Sequence, residues 1–296
     1  MILEKLKRLF NRGCRVPSQA PEPAILPLEP VILAREPQSI CFAGAYATWA
    51  AAAQDATGYN APIILERTRA AMLKVKSGEA IFERDSVIFD QPEWPWPVLA
   101  CLLKIAIGNG GRLSVLDFGG ALGSTYFTCR RFFQSDVEMR WSVIEQPSYV
   151  ACGRREFQDE QVRFYGTIDE CLAHEQPQVL LISGTLQFLE DPWGLLAMLA
   201  SKPIGYLLID RTTVFRDSTP DRLTVQTVPE SIYPASYPCW MLSYPRLKQI
   251  LAQAYEVVAE FPAHEGATMP FDDGTYGVYA GLLLKRKVAN FTETEQ

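Results

Sequence analysis

Ser114-Val-Leu-Asp-Phe-Gly-Gly-Ala-Leu-Gly123 is an apolar run that ends on a carboxylate, Asp117, and passes into a glycine-rich turn. Just beyond, Leu122, Tyr126, Cys129 and Phe133 recur at helical spacing. Strand, turn and helix in that order bring backbone N–H groups and a helix N-terminus towards a bound ligand. Glycine belongs where the chain takes positive φ or where a ligand touches the backbone. The plain alternative is an ordinary strand-to-helix turn of any α/β protein.

A dinucleotide loop wants G-x-G-x-x-G, so that a pyrophosphate can rest on the helix N-terminus. Counted from Gly119, Ala121 holds the second glycine place and Ser124 the third. A carboxylate at the strand end repels a pyrophosphate and suits a cation, which disfavours a nucleotide-dependent oxidoreductase. Asp117, Gly119 and Gly123 instead resemble the D-x-G-x-[GA]-x-G turn of class I S-adenosylmethionine-dependent methyltransferases. Ala121 replaces the middle glycine, and Gly120 supplies one a step earlier. The resemblance implies that Asp117, Gly119, Gly120 and Gly123 border the aminocarboxypropyl end of S-adenosylmethionine.

Arg140-Trp-Ser-Val-Ile-Glu145 is a second β-rich run ending in a carboxylate. An acid at that strand tip can accept both ribose hydroxyls, with Gln146 beside the adenine or ribose edge; a surface glutamate is the plainer reading. Gln178–Ser183 reads as a buried strand, and Gly184–Pro192 resembles the segment after the fourth strand of many class I methyltransferases. Gln187-Phe188 stands where an acid–histidine pair is frequent there. Ile204–Asp210 is another buried strand, leading into Asp210-Arg211-Thr212.

Strands near 113–117, 139–145, 162–165, 178–183 and 204–210 alternate with helical segments, which predicts a mostly parallel sheet covered on both faces. Ligands of such sheets sit beyond the carboxyl ends of the strands, and Asp117, Glu145, Ser183 and Asp210 all fall there. Late strands around 255–261 and 276–285, with a helix around 245–254, would complete a Rossmann-like seven-stranded sheet whose last strand runs antiparallel. This domain is expected over 113–286, with an insertion at 213–243 and a polar tail at 287–296.

Upstream, helices around 49–56, 62–76 and 96–107 read as a helical cap over 39–112. Tyr46, Trp49, Glu83 and Arg84 are its candidates for a pocket wall, although Trp49 also fits helix packing and Glu83–Arg84 a surface pair. Residues 17–37 hold six prolines and read as an extended linker. Ahead of it, Ile2, Leu6, Leu9 and Phe10 share one helical face, with Lys5, Lys7, Arg8 and Arg12 elsewhere. Residues 1–12 are therefore either a docked or frayed terminal helix, or a basic amphipathic helix resting on an anionic membrane surface. A signal peptide's uninterrupted apolar core is absent.

Phe42–Trp49, Thr57–Asn60, Phe82–Ser86, the glycine turn, Asp210–Thr212 and Ser236–Trp240 together resemble a family of bacterial methyltransferase-like proteins associated with surface-polysaccharide biosynthesis genes. The likeness covers residues 39–286 and implies the fold and the cofactor.

The chain of 296 residues carries a net charge of −6, which argues against a nucleic-acid partner. Seven scattered cysteines, odd in number and without C-x-x-C spacing, read as thiols in a reducing cytoplasm, and neither a disulfide set nor a metal site is expected. Methyl transfer needs acceptor and methyl held in line, and a hydroxyl acceptor needs a base. Of two histidines, His174 reads as solvent-facing, and His264, after the sixth strand, is the better base candidate. Asp210 can orient a hydroxyl and Arg211 can clamp a phosphate or carboxylate through its planar fork; a structural Asp–Arg pair is the alternative. Aromatic and amide groups of the insertion, Gln226, Tyr237 and Trp240, suit a sugar, with Tyr46 and Trp49 facing them; a packed lid or dimer interface is the other reading. The sequence thus reads as an S-adenosylmethionine-dependent methyltransferase acting at oxygen on a small or carbohydrate-linked acceptor. The alternative is a non-catalytic binding or scaffold protein that keeps the fold.

Overall fold

In the computed structural model the described residues are 40–58, 62–84, 86–89, 94–133, 137–228, 235–263 and 267–287. The first part of the chain holds β1 (Cys41–Tyr46), α1 (Trp49–Gln54), α2 (Pro62–Ser77), β2 (Phe82–Arg84), β3 (Val87–Phe89) and α3 (Trp96–Gly108). Next come β4 (Arg112–Phe118), α4 (Ser124–Cys129), β5 (Glu138–Ile144), α5 (Pro147–Glu156), β6 (Val162–Tyr165), α6 (Ile168–His174), β7 (Val179–Ser183) and α7 (Pro192–Ser201). The chain continues through β8 (Tyr206–Phe215), β9 (Arg222–Val228), β10 (Ala235–Ser243), α8 (Tyr244–Leu251), β11 (Tyr255–Pro262), β12 (Thr268–Pro270) and β13 (Tyr276–Arg286).

Alternation along the central strands sorts the core into two layers. Val115, Val143, Leu181 and Leu208 pack on one face with Met72, Leu102, Phe127 and Val150 from α2 to α5. Leu116, Ile144, Leu180 and Ile182 pack on the other with Cys171, Leu196 and Leu247 from α6 to α8. Each such side chain, fully buried, contributes roughly 1.5–3 kcal/mol, and burial on both faces is why these strands read as continuous apolar runs.

Strands β6, β5, β4, β7 and β8 lie side by side in parallel. β13 adds antiparallel to β8, and β11 pairs antiparallel with β13. This is the Rossmann-like seven-stranded sheet expected from the sequence, its last strand reversed, and it is the class I methyltransferase fold. The helices expected at 49–56, 62–76 and 96–107 are present as α1, α2 and α3, joined by a strand, β1, and a hairpin, β2–β3.

Two features depart from expectation. The fifth strand does not end at Asp210. It runs on to Phe215, and beyond β7 it takes β10 as its new neighbour. β10, β9 and β1 then form an antiparallel extension. Residues 213–243 are therefore largely sheet, continuous with the core. Asp210 and Arg211 also lie within the strand, at a bulge: Ile209 faces Leu282 and Thr212 faces Ala280, so two residues oppose the single Gly281. The described residues, all between 40 and 287, belong to one compact unit; residues 1–37 lie outside the described ones.

Candidate functional site

The turn after β4 is built on left-handed backbone. Gly119 has φ +75° and Gly123, which precedes α4, has φ +88°. Between them Ala121 takes φ +50°. Alanine thus keeps the conformation that the missing glycine would adopt, at a cost of roughly 1–2 kcal/mol. A Cβ on Gly119 would collide with Thr185, and one on Gly120 would come 2.6 Å from the Asp117 carboxyl carbon. The backbone can lie this close to its neighbours because both residues lack side chains.

Asp117 is 1 % exposed, and its Oδ2 accepts a hydrogen bond from Trp141 Nε1 at 3.0 Å. Burial raises its pKa to about 7 against that bond; the nearby charge of Glu145 raises it further, and that of Arg211 lowers it. Glu145 Oε1 accepts from the Ala121 N–H at 3.2 Å and Oε2 from the Gln146 N–H at 2.8 Å. Its pKa is raised by burial, against these two amides. A carboxylate offers about four acceptor positions, so Glu145 keeps capacity for further donors. Gln146 precedes α5 as its N-cap residue.

At the next pair of strand ends Ser183 lies opposite Asp210. Ser183 Oγ donates to Asp210 Oδ2 at 2.7 Å, and Arg211 Nε donates to Ser183 Oγ at 3.2 Å. Arg211 Nε lies 3.7 Å from Asp210 Oδ2, and Arg211 itself takes φ +49°. Burial raises the Asp210 pKa, while Arg211 and Ser183 pull it down. Gln187, in a short 3-10 turn after β7, donates from Nε2 to the Arg211 carbonyl at 3.1 Å. Its Oε1 is buried without a hydrogen-bond partner among the described residues.

The proposed pocket wall forms separate pairs. Trp49 stacks on Trp240 with centroids 6.5 Å apart, and Trp240 Nε1 donates to the Leu189 carbonyl. Gln226 and Tyr237 are buried, with Gln226 Nε2 donating to the Tyr237 hydroxyl at 3.4 Å. Tyr237 meets Phe188 edge to face at 5.1 Å. The Tyr46 hydroxyl donates to Asp55. His174 stacks on Tyr165 near β6. His264 lies outside the described residues.

Three contacts escaped the sequence reading. Trp141 looks like strand filling, yet it holds the Asp117 carboxylate. Thr185 Oγ1 reaches the Gly119 carbonyl and the Ser183 carbonyl, tying the glycine turn to the loop after β7. Glu83, buried in the hairpin, accepts from Ser124 Oγ at 2.8 Å and from the Ser86 N–H at 2.7 Å. It thereby pins the start of α4 to the N-terminal segment. No sequence spacing links these partners; only a polar residue inside an apolar setting hinted at them.

Parallel strands, a glycine turn closed on a buried carboxylate and a second carboxylate bonded to that turn define a Rossmann-like fold with a candidate ligand site at the carboxyl ends of its strands. No protein-family profile and no curated protein matches the chain. Among solved structures it is similar to the Burkholderia thailandensis 1,6-didemethyltoxoflavin-N1-methyltransferase with bound 1,6-didemethyltoxoflavin and S-adenosylhomocysteine. There the identity is 16%, coverage is 78% of this chain and 93% of that one, and the TM-score is 0.37. The N-terminal domain of EvdMO1, in the presence of SAH and D-fucose, shares 13% identity over 74% of this chain and 97% of that one, with a TM-score of 0.46. The [4+2]-cyclase SpnF shares 14% identity over 76% of this chain and 94% of that one, also at 0.46.

Proposed function

We propose that the chain is an S-adenosylmethionine-dependent methyltransferase that acts at oxygen on a small or carbohydrate-linked acceptor, of the kind used in surface-polysaccharide synthesis. The observation that carries this reading is the joining of Glu145 to the glycine turn through the Ala121 N–H, beside the buried Asp117. The donor set suits the cofactor chemically. Glu145 has acceptor positions left for two ribose hydroxyls, and Asp117 lies where a cation is favoured over a pyrophosphate. Asp117, Gly119, Gly120 and Gly123 would hold its aminocarboxypropyl end, Glu145 and Gln146 its nucleoside, with Ser183 at the neighbouring strand end.

When bound, the cofactor supplies an electrophilic methyl group on a sulfonium. Asp210 receives the acceptor's hydroxyl proton, helped by the burial that raises its pKa. Ser183 fixes the orientation of that carboxylate through Oδ2, and Arg211 in turn donates to Ser183 Oγ. Arg211 offers its planar guanidinium to an acidic group on the acceptor. The acceptor rests against the stacked Trp49–Trp240 pair, with the buried Gln226 and Tyr237 supporting the extension from within and Tyr46 beside it. His264 is a second candidate base.

Turnover with labelled cofactor across a panel of sugar nucleotides and acidic sugars tests the reading. Arg211→Ala should abolish methyl transfer and leave cofactor affinity nearly intact. Equal loss of both would make Arg211 structural, and cofactor binding with no turnover on any acceptor would favour a binding protein.

A further inference from the structure

Helix α3, Trp-Pro-Val-Leu-Ala-Cys-Leu-Leu-Lys-Ile-Ala-Ile-Gly, carries a single charge, Lys104. A helix apolar all round belongs in a core, and Val98, Leu99, Leu102 and Ile105 are indeed buried. Among the described residues the opposite side has no such cover. Trp96 is 59% exposed and Ile107 78%. At ~100° per residue, Trp96, Ala100, Leu103 and Ile107 fall within ~60° of one another and span ~16 Å of helix. Ala100 is exposed and Leu103 half-buried in this stripe.

Aromatic rings widen it at one end. Phe132 meets Trp94 at 5.0 Å and Trp96 at 5.6 Å, and the two tryptophans lie 6.4 Å apart. The Arg131 guanidinium covers Trp94 at 5.0 Å. Over residues 93–108 and 124–133 the charged side chains are Glu93, Lys104, Arg130 and Arg131, three cations to one carboxylate, in a chain whose net charge is −6. The surface is therefore apolar, aromatic and locally cationic.

We propose that this stripe is a peripheral membrane-binding surface that seats on anionic lipid. Charge selects this occupant. A second copy laid face to face would bring Lys104 and Arg131 against their own kind. The first twelve residues, with Lys5, Lys7, Arg8 and Arg12 against one Glu4, share the same sign, so they suit the same headgroups and not the stripe. Tryptophan and phenylalanine settle at the headgroup boundary while lysine and arginine meet lipid phosphates. Among the described residues no helix is long and apolar enough to cross a membrane, and a stripe of this kind lies in the interface plane.

The test is co-sedimentation of the full chain with phosphatidylcholine vesicles, with and without 30% phosphatidylglycerol as a chosen probe (about one lipid in three, enough for a negative surface potential). Binding to the anionic vesicles, weakened by salt and accompanied by a blue shift of tryptophan emission, is expected. Trp96→Ser with Ile107→Ser, and separately Lys104→Glu with Arg131→Glu, should each lower partitioning at least tenfold while thermal melting and cofactor binding stay unchanged. No binding to anionic vesicles, or variants that bind like the parent, would overturn the proposal. So would a concentration-dependent dimer, seen by light scattering, that Trp96→Ser dissolves, because a second copy would then cover the stripe.

Discussion

Asp117 holds its last proton near neutral pH because burial outweighs the Trp141 hydrogen bond. An unfolded aspartate ionises near 4, so the folded protein binds the extra proton between about 4 and about 7. Stability from this group is complete below the unfolded value and is lost as pH rises through about 7. Asp117→Asn should therefore unfold later than the parent at pH 8, by about 2 to 4 kcal/mol, and the difference should disappear near pH 4. Urea unfolding at the two pH values checks this; equal stability at both would contradict it. A bound sulfonium favours the ionised carboxylate, so cofactor affinity should rise between pH 6 and pH 8 with proton release, measurable by calorimetry in two buffers. Asp117→Asn should lose that dependence.

Arg211 gives a second prediction at this scale, because its φ of +49° is unfavourable for any side chain. Arg211→Gly and Arg211→Ala remove the same hydrogen bond to Ser183, yet the glycine variant should be about 1 kcal/mol more stable by relief of the left-handed strain. Chemical denaturation ranks the two, and the reverse order would mean that the bulge relaxes in the variants.

Elements differ in how far the sequence discloses them. β4, β5 and β7 announce themselves, since burial on both faces demands unbroken apolar runs that end on Asp117, Glu145 and Ser183. β9 and β10 do not. β10 contains Pro238, which reads against a central strand. It is tolerated because at that point β10 pairs only with β9, and β8 joins later, at Leu242. The bulge at Asp210–Arg211 escaped because it depends on Gly281, seventy residues downstream, and no local pattern marks it. Asp117 was legible as a strand-end acid, whereas Asp210 read as one and lies inside β8; the contacts of Trp141, Thr185 and Glu83 were not legible, because each joins segments that no local pattern links. Glu83 supports a prediction of its own. Glu83→Ala removes its bonds to Ser124 and Ser86 and should cost about 1–3 kcal/mol. It should also weaken cofactor binding about tenfold, since the start of α4 loses its tie. Glu83→Gln should recover part of both, as read by thermal melting and titration; a stability loss with unchanged affinity would detach the hairpin from the site.

At the scale of the whole molecule, distant segments close the sheet. β1, near residue 41, pairs with β9, and β13 near the other end lies between β8 and β11. Such pairing predicts one cooperative transition for the folded body in scanning calorimetry. A separate early transition of residues 39–112 would restore the notion of an independent cap. The apolar stripe of α3 and the glycine turn after β4 lie on different elements, so the proposed methyl transfer and the proposed membrane contact should be separable by mutation.

The central claim is that the turn at Asp117–Gly123 and the carboxylate of Glu145 form one cofactor site. Isothermal titration of the full chain with S-adenosylmethionine and S-adenosylhomocysteine tests it most directly. The account predicts binding at one site per chain, with Glu145→Ala weakening it by at least about tenfold, or about 1.4 kcal/mol. No heat of binding for either ligand at millimolar concentration, or an unchanged affinity in Glu145→Ala, would contradict it.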